Sequence, residues 1–123
     1  MKASVLELIL IIILVALIIY RLSPTKGIKT ITTEELKSVL NDPDKVFIDV
    51  RSPIEYKGQH IQQFQNVPLK SKFNDLPKDK EIVVICQTGI RSNQACKKLK
   101  RRGHKNITNV RGGLSYWNFK GEK

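Results

Sequence analysis

Ile82-Val83-Val84-Ile85-Cys86-Gln87-Thr88-Gly89-Ile90-Arg91 is the stretch from which the fold can be read. Four β-branched apolar residues in succession, closed by a cysteine, are the pattern of a strand buried on both faces. The turn after them is short and carries Gly89, and Ser92–Arg102 then follows a helical spacing. A second near-continuous apolar run is Val46-Phe47-Ile48-Asp49-Val50, and a weaker one is Ile107-Thr108-Asn109-Val110. Helical patterns stand between and before these runs. One covers Ile54–Gln59; another sets Leu36, Val39 and Leu40 behind a cap at Thr32 or Thr33, with Glu34 and Glu35 in its first turn. Strands alternating with helices predict an α/β fold, a mainly parallel central sheet flanked by helices on both faces. No internal repeat is visible.

Chemistry is expected at the carboxyl ends of such strands. Cys86 holds that position, followed by Gln87-Thr88-Gly89-Ile90-Arg91 and a helix start. A loop this short, with a glycine, can turn successive backbone N–H groups inward as an anion-binding nest. The helix adds the partial positive charge of its N-terminus. A sulfur at the centre of that cradle is favoured as the thiolate, the nucleophilic form. Arg91 can aim a planar cation at an oxyanion beside it. The competing reading is a cysteine that merely ends a core strand, since free cysteine is commonly buried. The glycine, arginine and helix start around it favour the functional one.

The rest of the chain bounds the possibilities. Among 123 residues, 22 Lys and Arg stand against 11 Asp and Glu, for a net charge of +11, and two cysteines do not make a disulfide framework. Leu8 to Tyr20 is unbroken apolar sequence, and Ala3–Leu22 is interrupted only by Ser4, Glu7 and Arg21. That length narrowly spans a bilayer core, with Glu7 near one interface and Tyr20 and Arg21 at the other. A cleaved signal peptide competes, but Tyr20-Arg21-Leu22-Ser23-Pro24 contains no Ala-x-Ala-like site, which favours a retained anchor. Arg21, Lys26 and Lys29 follow the apolar segment, whereas Lys2 before it is offset by Glu7, so the remaining domain is expected to face the cytoplasm. Two unpaired thiols agree with a reducing compartment. The expected organisation is an anchor over 1–22, a linker over 23–30, one α/β domain over 31–119 and a tail over 120–123. A multidomain enzyme, a disulfide-stapled miniprotein and a polytopic transporter are excluded.

Several separated motifs carry a resemblance. They are Thr33-Glu34-Glu35-Leu36; Ile48-Asp49-Val50-Arg51-Ser52-Pro53 with Glu55-Tyr56; His60-Ile61; Asn66-Val67-Pro68-Leu69; Cys86 through Ser92; and Gly112-Gly113 with Trp117. In this order they resemble the rhodanese-homology domain, from about Ile31 to Trp117. The resemblance implies a small rhodanese-like sulfurtransferase with no metal or organic cofactor. Cys86 would take sulfane sulfur from a thiosulfate-like donor as a persulfide and pass it to a thiophile. Gln87, Thr88, Gly89, Ile90 and Arg91 would form the active-site and substrate-binding loop, with Arg91 on the donor's anionic end. The loop is Cys-x₄-Arg; the related dual-specificity phosphatases would need Cys-x₅-Arg, a wider cradle for a tetrahedral phosphate. One departure stands out. Where the family usually shows Gly-His-Ile-x-Gly-Ala, this chain has Gln59-His60-Ile61-Gln62-Gln63-Phe64, so Gln63 and Phe64 make that turn bulkier and Phe64 is expected near the pocket mouth.

Other residues read as supporting. Asp49 and Arg51 end a buried strand and are expected as an ion pair bracing the loop. The rhodanese-like motif holds His60 as a structural, hydrogen-bonding residue rather than a general base. His104, after Gly103, is expected to be exposed. Cys96 shares a helical face with Ala95 and Leu99, the spacing of a core stripe, and Trp117 is expected to anchor the last helix. Lys97, Lys98, Lys100, Arg101, Arg102 and Lys105 place six cations in nine residues. They read as a solvated helix face, or as contacts to anionic lipid at about 1 kcal/mol each. Nucleic acid is not expected, since no aromatic residues interleave the cluster. Partners would be a small-molecule or protein sulfur donor and a thiol acceptor. The alternative to an enzyme is a membrane-tethered binding module that keeps the fold without catalysis.

Overall fold

A computed structural model describes residues 3–22 and 27–119. Its order is α1 (Val5–Leu22), β1 (Lys29–Ile31), α2 (Thr33–Val39), β2 (Lys45–Asp49), α3 (Pro53–Gly58), β3 (Gln65–Asn66), β4 (Glu81–Ile85), α4 (Ile90–Arg101), β5 (Ile107–Val110) and a 3₁₀ turn (Gly113–Tyr116). The strands form one sheet in the order β1-β5-β4-β2-β3, with every pairing parallel. This is the rhodanese-like α/β arrangement that the sequence predicts.

The apolar runs become the central strands because both faces of the sheet are covered. Along β4, Ile82, Val84 and then Cys86 join one core with Ile48, Val50 and the α4 residues Ala95, Cys96 and Leu99. Val83 and Ile85 point the other way, into a core with Phe47, Leu36 of α2, Leu114 and Trp117. The period of two follows from the pleat. Each short helix is started by its own chemistry. Thr32 caps α2 and Ser52 caps α3, in both cases through a reciprocal capping box, with Glu35 and Glu55 respectively.

The structure corrects three expectations. Lys29–Ile31 pairs with β5 as an edge strand, although Lys29 and Thr30 read as linker; three residues of mixed polarity carry no strand signal of their own. Phe64 is not at the pocket mouth. It is buried against Phe47, ring centroids 5.2 Å apart, on the sheet face opposite Cys86, so the bulkier turn feeds the core while Gln63 stays exposed. His104 is only 3 % exposed. Its backbone N–H donates to the Leu99 carbonyl, closing the end of α4, and burial first, then the charge of Lys78, lowers its pKa. The proposed linker residues 23–26 and the tail 120–123 lie outside the described residues.

α1 is 18 residues long, with every residue exposed, and it is apolar enough to cross a membrane by length and composition. Its last turn touches the domain. The amide of Asn93 donates to the Arg21 carbonyl at 3.2 Å, and the Lys97 ammonium donates to the Tyr20 carbonyl while standing 4.1 Å from the Tyr20 ring centroid. These groups satisfy carbonyls that a helix end leaves unpaired.

Candidate active site

Cys86 follows β4 directly, beyond the Asp49–Ile85 pair that ends the β2–β4 register, where the N–H of Val50, just past β2, donates to the Ile85 carbonyl. Its sulfur lies where a capping side chain would lie for α4. Gly89, the cap residue, has no side chain to offer; instead Cys86 Sγ accepts from the Gly89 N–H at 3.0 Å and from the Ser92 N–H, in the first turn of α4, at 3.2 Å. Ser92 Oγ is 3.3 Å from the same sulfur. Three polar groups thus converge on one atom, and the helix dipole adds to them. Gly89 makes this possible at φ 105°, which a side chain rarely tolerates. Cys86 has no exposed surface, so reagents reach it only as the loop gives way.

The loop is braced from behind. The N–H groups of Leu114 and Ser115 donate to the Cys86 and Gln87 carbonyls, each at 2.9 Å, and Ser115 Oγ donates to the latter at 2.8 Å. A Cβ on Gly113 would overlap the Cys86 carbonyl oxygen, so glycine alone lets the two backbones approach.

The structure shows Asp49 and Arg51 as a buried ion pair. Arg51 Nε and Nη2 donate to the carboxylate at 2.9–3.1 Å, and Arg51 also reaches the Gln59 carbonyl at 2.6 Å and Gln87 Oε1 at 3.5 Å. One guanidinium therefore links β2, the end of α3 and the Cys86 loop. His60 stacks on Tyr56, centroids 3.7 Å apart, and its Nδ1 is 2.6 Å from the Tyr56 carbonyl. An acceptor there makes Nδ1 the protonated nitrogen.

Arg91 departs from expectation. Its Nη1 and Nη2 donate to Glu55 Oε1 at 2.6 Å and Oε2 at 2.9 Å. Its hydrogen bonds to Glu55 raise its pKa most, with the charge of Cys86 a smaller cause. The guanidinium is thus committed to α3. Sequence reading missed Glu55 as a site residue, because its partner Arg91 lies 36 positions away. It also missed Arg111, which with Thr88, Gly89, Ile90, Asn93, Gly112, Arg21 and Leu22 lines a pocket of about 480 Å³ beside the loop. Cys86 itself does not line that pocket. Cys96 lies deep in the same core as Cys86, and burial pushes its thiol up to about 12. The basic run is less free than its composition implies. Lys97 is buried on Tyr20, Lys98 donates to the Leu69 and Ser71 carbonyls, and Arg102 to Asn74.

Comparison with known proteins agrees with this architecture. A family model described as a rhodanese-like domain matches residues 32–120. The chain is 34 % identical over 121 residues to the uncharacterized protein YqhL of Bacillus subtilis, covering 93 % of this chain and 94 % of that one. It is 32 % identical over 94 residues to a sulfurtransferase of Allochromatium vinosum, covering 73 % and 88 %. A crystal structure of a rhodanese-like domain protein from Staphylococcus aureus superposes with a TM-score of 0.68 at 30 % identity, covering 76 % of this chain and 94 % of that one. Other matching relatives include tRNA uridine(34) hydroxylases, of whose length this chain spans about a quarter. With its parallel sheet, its cysteine at the end of β4 and these matches, the chain belongs to the rhodanese-like domain family.

Proposed function

We propose that the protein is a sulfurtransferase working through a persulfide on Cys86. The observation that supports this best is the convergence of the Gly89 and Ser92 N–H groups on the Cys86 sulfur. Donors aimed at a sulfur stabilise negative charge on it and on a second sulfur bonded beside it. The thiolate attacks the outer sulfur of a thiosulfate-like donor; the donor's S–S bond breaks and sulfite leaves with the electron pair. An acceptor thiolate or other thiophile then attacks the terminal sulfur, and Cys86 departs as thiolate. Gln87, Thr88, Gly89 and Ile90 form the cradle. Arg91 holds its far end through Glu55, Asp49 and Arg51 brace it through Gln87, His60 supports α3, and Arg111 supplies a cation for an anionic donor in the adjoining pocket. The scheme uses no metal or organic cofactor.

α1 serves as a single-pass anchor in this reading, with the catalytic domain in the cytoplasm, because the cations that follow it outweigh those before it. Protease added outside intact cells then leaves the domain whole. The function itself is tested by intact mass after incubation with thiosulfate. Gain of one sulfur by the wild type and none by Cys86→Ala supports the enzyme. No gain with any sulfane donor favours a binding module, and turnover of an aryl phosphate without sulfur uptake would indicate a phosphatase.

A further inference from the structure

Two features lie together that the sulfur chemistry does not use. Among the described residues outside α1, the large hydrophobic side chains left exposed are Ile54, Ile90 and Tyr116, at 84 %, 47 % and 73 %. They follow the carboxyl ends of β2, β4 and β5 respectively, so they share the edge of the sheet on which Cys86 sits. The C-terminal end of α1 meets that same side of the molecule. Arg21 and Leu22 line the pocket formed by Thr88, Gly89 and Ile90, and Asn93 and Lys97 of α4 hold the Arg21 and Tyr20 carbonyls. On the other flank of this contact is a second pocket of about 420 Å³, lined by Tyr20, Arg21, Lys70, Lys97 and Arg101 among others. Arg21, Lys70 and Arg101 are exposed there.

We infer that the Cys86 edge of the domain lies against the bilayer, with the phosphate of an anionic phospholipid in the pocket between α1 and α4. This rests on reading α1 as a membrane anchor. Tyr20 and Arg21 end the apolar helix and therefore mark headgroup depth. Whatever is bonded to their carbonyls lies at that depth too, which places α4 and the neighbouring loop at the surface. Exposed cations there meet the negative potential of an anionic leaflet, and Ile90 and Tyr116 present apolar and amphipathic groups to the interface. The consequence for function is a choice of partner. The acceptor that takes the terminal sulfur from Cys86 comes from the headgroup layer, as a thiol close to the membrane surface on an integral protein.

The test places a spin label on the full chain in nanodiscs of phosphatidylcholine and phosphatidylglycerol doped with a nickel-chelating lipid. Labels are introduced by Ile90→Cys or Tyr116→Cys, and for comparison by Asp44→Cys in the turn before β2, at the amino ends of the strands, all with Cys86→Ser and Cys96→Ala. The nickel headgroup should relax the labels at 90 and 116 strongly and the label at 44 weakly. That contrast should fall when phosphatidylglycerol is omitted, or when Lys70→Glu and Arg101→Glu are combined. Equal relaxation at all three positions, or a contrast indifferent to lipid charge, overturns the inference. Labels at 90 and 116 that stay in water also overturn it, and would leave the apolar edge to a soluble protein partner. Failure of the anchor reading is seen separately, as wild-type chain that does not float with liposomes.

Discussion

Arg91, in the first turn of α4, grips Glu55 of α3 through two hydrogen bonds of 2.6 and 2.9 Å. The same carboxylate closes the capping box of α3, accepting from the Ser52 N–H and hydroxyl. The pair therefore ties the end of the Cys86 loop to the helix after β2, across 36 positions of sequence.

This pairing sets a dependence on acid. Hydrogen bonding by Arg91, the largest cause, holds the Glu55 carboxyl down at about 2, against 4.5 when free. A depressed carboxyl pKa gives stability that is present above 4.5 and lost as pH falls through 2. The pair is more than a third exposed on both sides, so screening limits it to about 0.5–1 kcal/mol. Thermal melts of wild type and Glu55→Gln should differ at pH 6 and converge as the pH approaches 2.

His104 adds a second, higher window. Burial lowers its pKa, so the unfolded chain takes up a proton first as pH falls below about 6.5. Stability due to neutral His104 is thus complete above that value and declines beneath it. In His104→Asn the slope of stability against pH just below 6.5 should flatten, measured by urea denaturation.

Removing one member of the Asp49–Arg51 pair should cost far more than the exposed pair does. Asp49→Ala leaves the Arg51 charge buried, with the Gln59 carbonyl and Gln87 Oε1 as the remaining partners of its side chain among the described residues. A loss of about 3–5 kcal/mol is expected from chemical unfolding. Sulfur uptake should fall as well, since Gln87 adjoins the nucleophile.

Gly113→Ala should damage the loop specifically. Its Cβ would overlap the Cys86 carbonyl, at a φ of 59° that already strains an L residue. A cost of at least about 1–3 kcal/mol and loss of sulfur uptake are expected. Gly58→Ala, with nothing within 4 Å of the new methyl, is the control and should leave both unchanged.

The two thiols should separate by reactivity. With its thiol pushed to about 12, Cys96 is ionised to roughly one part in 10⁴ at pH 8 and is buried besides. A small alkylating agent on the folded protein should therefore label Cys86 and spare Cys96, as read by peptide mass. A bulky maleimide should be slower at Cys86, because the residue is covered until the loop yields.

Features that local chemistry encodes can be read along the chain before it folds. The central strands were legible because burial on both faces demands unbroken apolar residues, α2 because a threonine cap stands next to the glutamates of its first turn, and α3 from the helical pattern of Ile54–Gln59. The Cys86 loop was legible too, since nucleophile, glycine and helix start are consecutive. Tertiary structure alone decided the rest. Lys29–Ile31 becomes a strand because β5 offers it a partner, and Phe64 goes to the far face because Phe47 awaits it there. Arg91 is claimed by Glu55, and Lys97 by the Tyr20 carbonyl, 77 positions away. A charged side chain takes the partner nearest in space, and that distance does not exist until the chain has folded.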